Sequence, residues 1–107
     1  MNTTTPRLRG TSQKQFYVYI LANKTNGTLY TGITNNIHRR IKEHKEGKGG
    51  YFTKKYKINK LVYIENTEYI HNAIQREKQI KKMKRKEKLD LIERDNPNWE
   101  DLSNLWR

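Results

Sequence analysis

The sequence of 107 residues contains no cysteine, which excludes disulfide bonds and thiolate metal sites. No apolar run approaches the roughly 20 residues that a membrane-spanning helix needs. The first fifteen residues also lack the apolar stretch of a secretory signal peptide. These absences predict a cytoplasmic protein with no membrane partner.

Hydrophobic residues are scarce, at 33% of the chain, so we expect a small core and helices that keep much of their surface in water. A chain of this length fits one domain. Residues 1–15 are polar, contain Pro6 and Gly10, and show no periodicity, which predicts a flexible tail. We therefore expect a single folded domain over residues 16–107.

Acidic residues are scarce as well, with 11 Asp and Glu against 23 Lys and Arg, a formal net charge of +12 and a pI near 10.0. Such an excess attracts polyanions and is typical of nucleic-acid-binding domains. The alternative is that the charge only keeps the protein soluble. Docking onto an anionic membrane is disfavoured, because it requires a strongly amphipathic helix with bulky apolar groups.

Three segments have the β-branched and aromatic composition of strands: residues 16–21, 28–33 and 61–64. The dipeptide Asn26-Gly27 lies between the first two segments. Both of its residues tolerate positive φ angles, so it predicts a tight hairpin turn. We expect the third strand to pair with this hairpin.

Helical patterns follow the strands. Thr34 and Asn35 are predicted to cap a helix over residues 36–46, which ends at the glycines of EGKGG. A second helix is predicted from about residue 67 to about residue 85. A shorter one follows over residues 87–95.

The segments between and after these elements complete the predicted domain. Residues 47–59 read as a surface loop between the first helix and the third strand. Residues 96–107 contain both tryptophans with Leu102 and Leu105, and we expect them to pack back onto the domain. The order strand, strand, helix, strand, helix, helix predicts an α+β fold with a small three-stranded antiparallel sheet flanked by helices.

The first predicted helix carries polar side chains where apolar ones are expected. Ile37 and Ile41 define its buried stripe. At about 100° per residue, Arg40 and His44 share that stripe and face the sheet.

The solvent side of the same helix is expected to hold Arg39 beside Glu43. For Arg40 or His44 alone, a structural explanation is sufficient, because an arginine can extend from a core edge and a histidine can donate to a carbonyl. Two such residues one turn apart, above tyrosine-rich strands, favour a functional site.

The second predicted helix places a carboxylate on its inner face. Ile70, Ala73, Ile74 and Ile80 trace that face, and Glu77 lies in the middle of it. An unpaired buried charge is costly, so Glu77 needs a metal ion, an arginine or a hydrogen-bond network. We expect Glu77 to reduce the stability of the metal-free protein; the alternative is an ion pair with Arg40 of the first helix.

Seven basic residues are predicted to contact a phosphate backbone: Arg39, Lys54, Lys55, Lys78, Lys81, Lys82 and Arg85. The alternative is a solvated charged face. Because no base-reading element is visible, we expect binding that depends steeply on salt and little on base sequence.

Together these residues resemble the GIY-YIG nuclease family. The two family triplets correspond to residues 17–19 (YVY) and 30–32 (YTG). The segment TGITNNIHRRIKEH resembles the arginine motif, and AIQREKQIKK resembles the glutamate motif. The resemblance covers about residues 16–106 and is to short, stand-alone bacterial members. The family also includes the N-terminal nuclease domain found in the excinuclease ABC complex.

The sequence departs from the family pattern at three triplet positions. Tyr17 and Val18 stand where the first triplet has Gly and Ile, and Thr31 replaces the central Ile of the second. None of these changes removes a side chain that the family uses in its chemistry. Asn96 is the candidate for the family's late asparagine and a possible additional site residue.

The resemblance implies that Tyr19, Tyr30, Arg40, His44 and Glu77 form a catalytic set. Glu77 would hold one divalent cation, Mg²⁺ or Mn²⁺, jointly with the substrate phosphate, and no small-molecule cofactor is implied. Arg40 would stabilise the charge on the pentavalent phosphate. The water proton would pass either to Tyr19, a phenol with an ordinary pKa of about 10, or to His44, which titrates near neutrality.

The function implied is a metal-dependent endonuclease that hydrolyses phosphodiester bonds in DNA, directed by DNA structure rather than base sequence, in repair or recombination. RNA is a second possible polyanion. The alternative is a nucleic-acid-binding module of the same fold with little or no turnover, but binding alone does not need the five residues together.

Overall fold

The computed structural model describes residues 14–105. In chain order, the elements are β1 (Phe16–Ala22), β2 (Leu29–Thr34), α1 (Ile37–Lys45), α2 (Tyr51–Lys55), β3 (Lys60–Thr67), α3 (Ile70–Lys82), α4 (Arg85–Asp95) and a 3-10 turn at Leu102–Leu105. The predicted α+β class, the three strands and the order of elements are confirmed, with α2 as an addition. Most of the predicted tail lies outside the described residues.

The sheet has the order β2-β1-β3, with β1 in the centre and antiparallel to both neighbours. The predicted hairpin turn connects β1 to β2. Asn26 has a φ of 56°, the Gly27 amide donates to the Lys24 carbonyl at 2.9 Å, and the Asn23 side chain accepts from the Thr28 amide at 2.9 Å. Asn26 thus adopts the positive φ that the prediction assigns to the dipeptide, whereas Gly27 does not; a Cβ at Gly27 would lie 2.0 Å from Asn23 Oδ1.

Alternate residues of β1 point to opposite faces of the sheet. Tyr17, Tyr19 and Leu21 pack with Ile37 and Ile41 of α1 on one face. The other face carries the second core cluster, which includes residues of α3 and α4: Val18, Ile20, Ala22, Val62, Tyr63, Ala73, Ile80, Leu91, Ile92 and Trp99. One face thus belongs to α1, and the other belongs to α3 and α4.

Helix α1 begins one residue later than expected. Its N-cap is Asn36, whose side-chain oxygen accepts from the Arg39 amide at 3.1 Å, while Thr34 Oγ1 accepts from the Asn36 amide at 3.1 Å. An N-cap acceptor satisfies an amide that has no partner inside the helix. The helix ends before Gly47, whose φ of 76° suits glycine. These caps hold α1 in register over the sheet.

The segment at residues 47–59 is not an irregular loop as predicted, because it contains the five-residue helix α2. Two residues of the segment are buried: Thr53 within α2 and Ile58 after it. The Ile58 amide donates to the Thr53 carbonyl at 2.9 Å, and Lys57 adopts a φ of 55° where the chain leaves the helix. A single apolar anchor thus holds the segment onto the domain.

Helix α3 ends at Lys82, somewhat before the predicted limit, and α4 starts at Arg85. Glu87 Oε1 accepts from the Lys84 amide at 2.8 Å and so caps α4. On α3, Ile70 is exposed rather than facing inward as its spacing predicts. The apolar face of α3 therefore starts one turn later than the sequence indicates.

The C-terminal segment packs back onto the domain mainly through Trp99, which is buried in the second cluster and donates from Nε1 to Glu93 at 2.8 Å. Leu102 packs against the α1 side, whereas Leu105 is exposed, contrary to expectation. Trp106 lies outside the described residues. Within residues 14–105, no helix has both the length and the apolar character needed to cross a membrane.

Asn96 is the C-cap of α4 and is buried. Its Nδ2 donates to the carbonyls of Val62 at 3.1 Å and Glu100 at 2.9 Å, and its Oδ1 accepts from the Glu100 amide at 3.0 Å. The polar atoms of the side chain are thus engaged with backbone groups of the fold, and Asn96 joins α4 to β3.

Asn96→Ala should lower the free energy of unfolding by about 2 to 3 kcal/mol, because it strands buried backbone groups that Asn96 now satisfies. Urea unfolding measures this change. Asn98→Ala, at an exposed position two residues away, is the control and should be close to wild type. An Asn96→Ala protein of normal stability would show that this cap does not hold α4 in place.

Candidate active site

The site is built around the hydroxyl of Tyr19 on the central strand. Tyr19 pairs in register with Gly32 of β2 and is only 1% exposed. A Cβ at Gly32 would lie 2.5 Å from Tyr19 Oη. Glycine at position 32 therefore leaves the space that the phenol occupies, and this links the two tyrosine triplets sterically.

Helix α1 supplies the two side chains that contact this hydroxyl. His44 Nε2 lies 3.2 Å from Tyr19 Oη, and Arg40 Nε donates to the same oxygen at 3.4 Å. Both side chains face the sheet, as the helical periodicity predicts. The three residues come from one strand and consecutive turns of one helix.

Tyr30, on the edge strand β2, completes an aromatic group around this centre. Its ring centroid lies 6.4 Å from that of Tyr19 and 5.7 Å from that of His44, which in turn is 5.9 Å from Tyr19. Tyr30 is half-buried, whereas Tyr19 and His44 are buried. Tyr30 is therefore the ring of the three that solvent reaches most easily.

Arg40 is held by three different groups. Besides Tyr19, its Nη1 donates to Glu43 Oε1 at 2.9 Å and its Nη2 donates to the Gly49 carbonyl at 3.2 Å. A guanidinium has five N–H donors, so two remain for another ligand. The fixed, partly exposed fork is a preorganised positive charge.

The helical wheel places Glu43 on the side of α1 away from Arg40, but in the structure the two side chains are in contact. Its carboxylate accepts from Arg40 Nη1 and also lies 3.6 Å from Arg39 Nε. The predicted pair of Arg39 and Glu43 is present, but a glutamate is long enough to reach sideways to the residue three positions earlier as well. Glu43 therefore helps to orient Arg40.

Gly49 is a site component that the sequence reasoning missed. Its carbonyl accepts from Arg40, and a Cβ at this position would lie only 2.1 Å from His44 Nδ1. Glycine is therefore required for the chain to pass over the imidazole. The only signal in the sequence is the EGKGG run, which by itself indicates no more than the end of a helix.

Glu77 approaches from α3, on the other side of the sheet from α1. Its side chain is 17% exposed and forms an ion pair with Lys81 at 3.3 Å, whereas Arg40 pairs with Glu43. The predicted alternative of a direct pair between Glu77 and Arg40 is wrong. The Glu77 charge nevertheless contributes to raising the pKa of Tyr19, so the two groups share one electrostatic environment.

A metal ion at this site would have few protein ligands. Among residues 14–105, no group of three His, Asp or Glu side chains is placed to enclose a cation. Glu77 offers hard carboxylate oxygens at a partly exposed position, which fits an ion that keeps several waters and shares a phosphate ligand. The donor set is thus compatible with Mg²⁺ or Mn²⁺ held between protein and substrate.

Burial controls the protonation of the two candidate bases. It raises the pKa of Tyr19 and outweighs the opposing hydrogen bond from Arg40. Burial, with the neighbouring charge of Arg40, lowers the pKa of His44 to about 4. Both groups are therefore neutral at pH 7: the hydrogen bond from Arg40 favours a phenolate at Tyr19, but desolvation outweighs it.

The tautomer of His44 sets the direction of its hydrogen bond to Tyr19. Nδ1 is buried and finds no hydrogen-bond partner within the described part of the chain. With the proton on Nε2, His44 donates to Tyr19 Oη; with the proton on Nδ1, the neutral phenol donates to Nε2. An ionised Tyr19 can only accept, so a phenolate requires the Nε2 tautomer, in which Arg40 and His44 both donate to it.

All of the residues predicted to contact nucleic acid are exposed: Arg39 on α1, Lys54 and Lys55 on α2, Lys78, Lys81 and Lys82 on α3, and Arg85 at the start of α4. Three of them have ion-pair or hydrogen-bond partners in the fold. Arg39 pairs with Glu43, Lys81 pairs with Glu77, and Arg85 donates to the carbonyls of Asn26 and Gly27 at 2.8 Å each. Arg85 therefore supports the hairpin turn.

The model of the GIY-YIG catalytic domain matches residues 15–90, and the chain belongs to the GIY-YIG family. This is a nuclease family whose members generally depend on a divalent metal ion. The matched range contains β1 to α3 and the start of α4, and so includes every residue of the site described above.

Within the family, the chain is similar to UPF0213 proteins. It is 49% identical to one from Syntrophus aciditrophicus, over 76% of this chain and 92% of that protein. It is also 49% identical to one from Clostridium perfringens, over 71% of this chain and 81% of that protein. The solution NMR structure of a UPF0213 protein from Bacillus halodurans is 32% identical and has a TM-score of 0.53, with 86% of this chain and 97% of that chain covered.

His44→Gln should flatten the pH dependence of stability between pH 7.5 and pH 5. The pKa of His44 is lower in the folded protein than its ordinary 6.5, so the unfolded chain binds the extra proton as the pH falls and the wild type loses stability. The loss from this group is about 2 kcal/mol at pH 5.

Urea unfolding at several pH values measures this effect, and His71→Gln, which removes an exposed histidine, is the control. Parallel curves for wild type and His44→Gln would mean that His44 is not held neutral by burial.

Proposed function

We propose that the protein is a divalent-metal-dependent endonuclease that hydrolyses phosphodiester bonds in DNA. We further propose that it is directed by DNA structure rather than by base sequence and acts in repair or recombination. The observation that carries the proposal is the convergence of Arg40 Nε and His44 Nε2 on the hydroxyl of Tyr19, at 3.4 and 3.2 Å. A binding module has no need to direct an arginine and a histidine at one buried phenol.

Arg40 is assigned to the charge that develops on the phosphate. Its contacts with Tyr19, Glu43 and Gly49 fix the plane of the guanidinium and leave two N–H groups for a further ligand. A donor that is already oriented stabilises the transition state without reorganisation during the reaction. Substitution by lysine would keep the charge but lose this fork.

Tyr19 is assigned as the group that accepts the proton from the attacking water. The water oxygen bonds to phosphorus, its proton passes to the phenolate oxygen, and the bond from phosphorus to the leaving oxygen breaks. His44 donates its Nε2 hydrogen to the same oxygen and so holds the phenolate in place. Tyr30, the more exposed ring, is assigned to positioning the water or phosphate at the entrance to this group.

Glu77 is assigned to the metal ion, which supplies Lewis-acid activation of the phosphate when bound. The carboxylate lies close enough to Tyr19 to affect its pKa. A positive charge at Glu77 would offset that effect and lower the pKa of the phenol. The metal and the proposed base are thereby coupled.

The experiment that tests the function is cleavage of labelled DNA and RNA of several shapes with Mg²⁺, Mn²⁺ or EDTA. Arg40→Ala should reduce cleavage by about 100- to 1,000-fold, the usual effect of removing one transition-state donor. Arg39→Ala is the matched control and should remain within about fivefold of wild type, because an exposed ion pair contributes about 1 kcal/mol or less. The reverse result would overturn the assignment of Arg40.

Glu77→Gln should lose metal-dependent cleavage while DNA affinity stays equal or increases, since a negative charge has been removed near the phosphate. Its thermal midpoint, measured on the same preparation, checks that it folds. Normal cleavage by this variant would refute the metal assignment. If the wild type binds DNA but cuts nothing with either metal, the binding-module alternative is correct.

The pH dependence of kcat/KM distinguishes the two candidate bases. If Tyr19 must ionise, the rate should rise about tenfold per pH unit from pH 6 until the phenol titrates, because its pKa in the free protein is raised. If His44 is the base, the profile should be flat above about pH 5, because its pKa is about 4. Tyr19→Phe, assayed over the same range, should remove the rising limb.

A further inference from the structure

Helix α2 and its C-cap expose an aromatic surface that the assigned catalytic residues do not use. Tyr51 is 77% exposed, and Phe52 and Tyr56 are each 45% exposed. Three large rings on one short segment form a patch that a soluble domain ordinarily covers or uses. We call these three residues the α2 platform.

The platform is both ordered and charged. The rings of Phe52 and Tyr56 lie 5.0 Å apart between centroids, and Lys55 Nζ lies 5.8 Å from the ring centre of Tyr51 and 5.4 Å from that of Tyr56. The segment at residues 47–59 carries no acidic residue. Aromatic faces bordered by cations match a ligand with flat rings and phosphates, whereas a purely apolar protein partner would not need the lysines.

The platform is joined directly to the site. Gly49 accepts from Arg40 and packs on His44, and only Gly50 separates it from Tyr51. Consecutive Cα atoms are about 3.8 Å apart, so Tyr51 lies within about 8 Å of Gly49 along the chain. Gly50 has a φ of 128°, a value that favours glycine, and its carbonyl accepts from the Lys54 amide at 3.1 Å. The direction in which α2 leaves the site is therefore fixed.

We propose that the α2 platform stacks the bases of unpaired DNA next to the bond that is cut, so that the substrate is single-stranded DNA or the single-stranded arm of a branched duplex. The proposal rests on the proposed nuclease function and specifies its substrate class. In a duplex the base faces are hidden in the stack, so exposed rings gain nothing there. In a single strand each base presents a face on which an aromatic side chain can stack, whatever its sequence.

The test is DNA binding by the full chain in EDTA, where a metal-dependent enzyme does not cut. Fluorescence anisotropy is measured with four labelled probes: a mixed-sequence single strand, the same strand without bases, the blunt duplex, and the duplex with a single-stranded flap. The triple variant Tyr51→Ala, Phe52→Ala, Tyr56→Ala is compared with wild type. Tyr69→Ala is the control, because Tyr69 is 64% exposed and lies outside the platform.

The triple variant should bind the single strand and the flap about 10- to 100-fold more weakly, the usual range for alanine substitution at stacking positions. Its affinity for the blunt duplex and the baseless strand should be unchanged, and Tyr69→Ala should behave like wild type. Tyr51→Ala alone, at the most exposed position, should show a smaller loss in the same direction. This single variant preserves the test if the triple variant does not fold.

Two results would overturn the proposal. Equal losses on all four probes would mean that the platform provides no base stacking. Unchanged binding together with an altered oligomeric state in analytical ultracentrifugation would make the platform a contact between copies of the chain. These measurements involve no cleavage. The binding test can therefore contradict the platform proposal while the cleavage assay supports the nuclease function, and the opposite pair of results is also possible.

Discussion

The contact between Tyr19 Oη and the two side chains of α1 is the interaction on which the site depends. It requires β1 at the centre of the sheet, glycine at position 32 beside it and α1 held in register by the Asn36 cap. If any one of these shifts, the two side chains no longer meet the phenol. Because a displacement of about 1 Å can reduce an enzymatic rate 100-fold, the proposed activity depends on all three features.

Burial raises the pKa of Tyr19 and lowers the pKa of His44. It holds Tyr19 and His44 neutral, which avoids the cost of a buried charge in the free protein. Arg40 is charged at pH 7 as a guanidinium ordinarily is, its hydrogen bond to Tyr19 raises its pKa further, and Glu43 partly balances that charge. The free protein thus holds one fixed positive group and two neutral groups. In the proposed mechanism, the charge of a bound metal ion would oppose the effect of Glu77 and lower the pKa of the phenol.

The sequence predicted those parts of the structure that follow from local periodicity. The hairpin followed from Asn26-Gly27, and the inward direction of Arg40 and His44 followed from the helical repeat. Features set by backbone atoms or by side-chain length were not predictable: the carbonyl of Gly49 as a ligand of Arg40, and the sideways reach of Glu43. Helix α2 was missed because five residues with exposed rings show no helical periodicity. Asn96 resembled a site residue by its place in the family pattern, yet its polar atoms serve the C-cap of α4.

Two glycines make room for the buried side chains of the site. Gly32 admits the phenol of Tyr19, and Gly49 admits the imidazole of His44, so two missing side chains create the volume in which the polar groups meet. The same Gly49 is followed at once by Gly50 and α2, so the backbone that covers His44 also sets the direction of the exposed rings. A change in how α2 leaves the site would therefore move the Gly49 carbonyl, and with it Arg40. Gly49 thus lies in the chain between the α2 platform and the guanidinium that is proposed to stabilise the reacting phosphate.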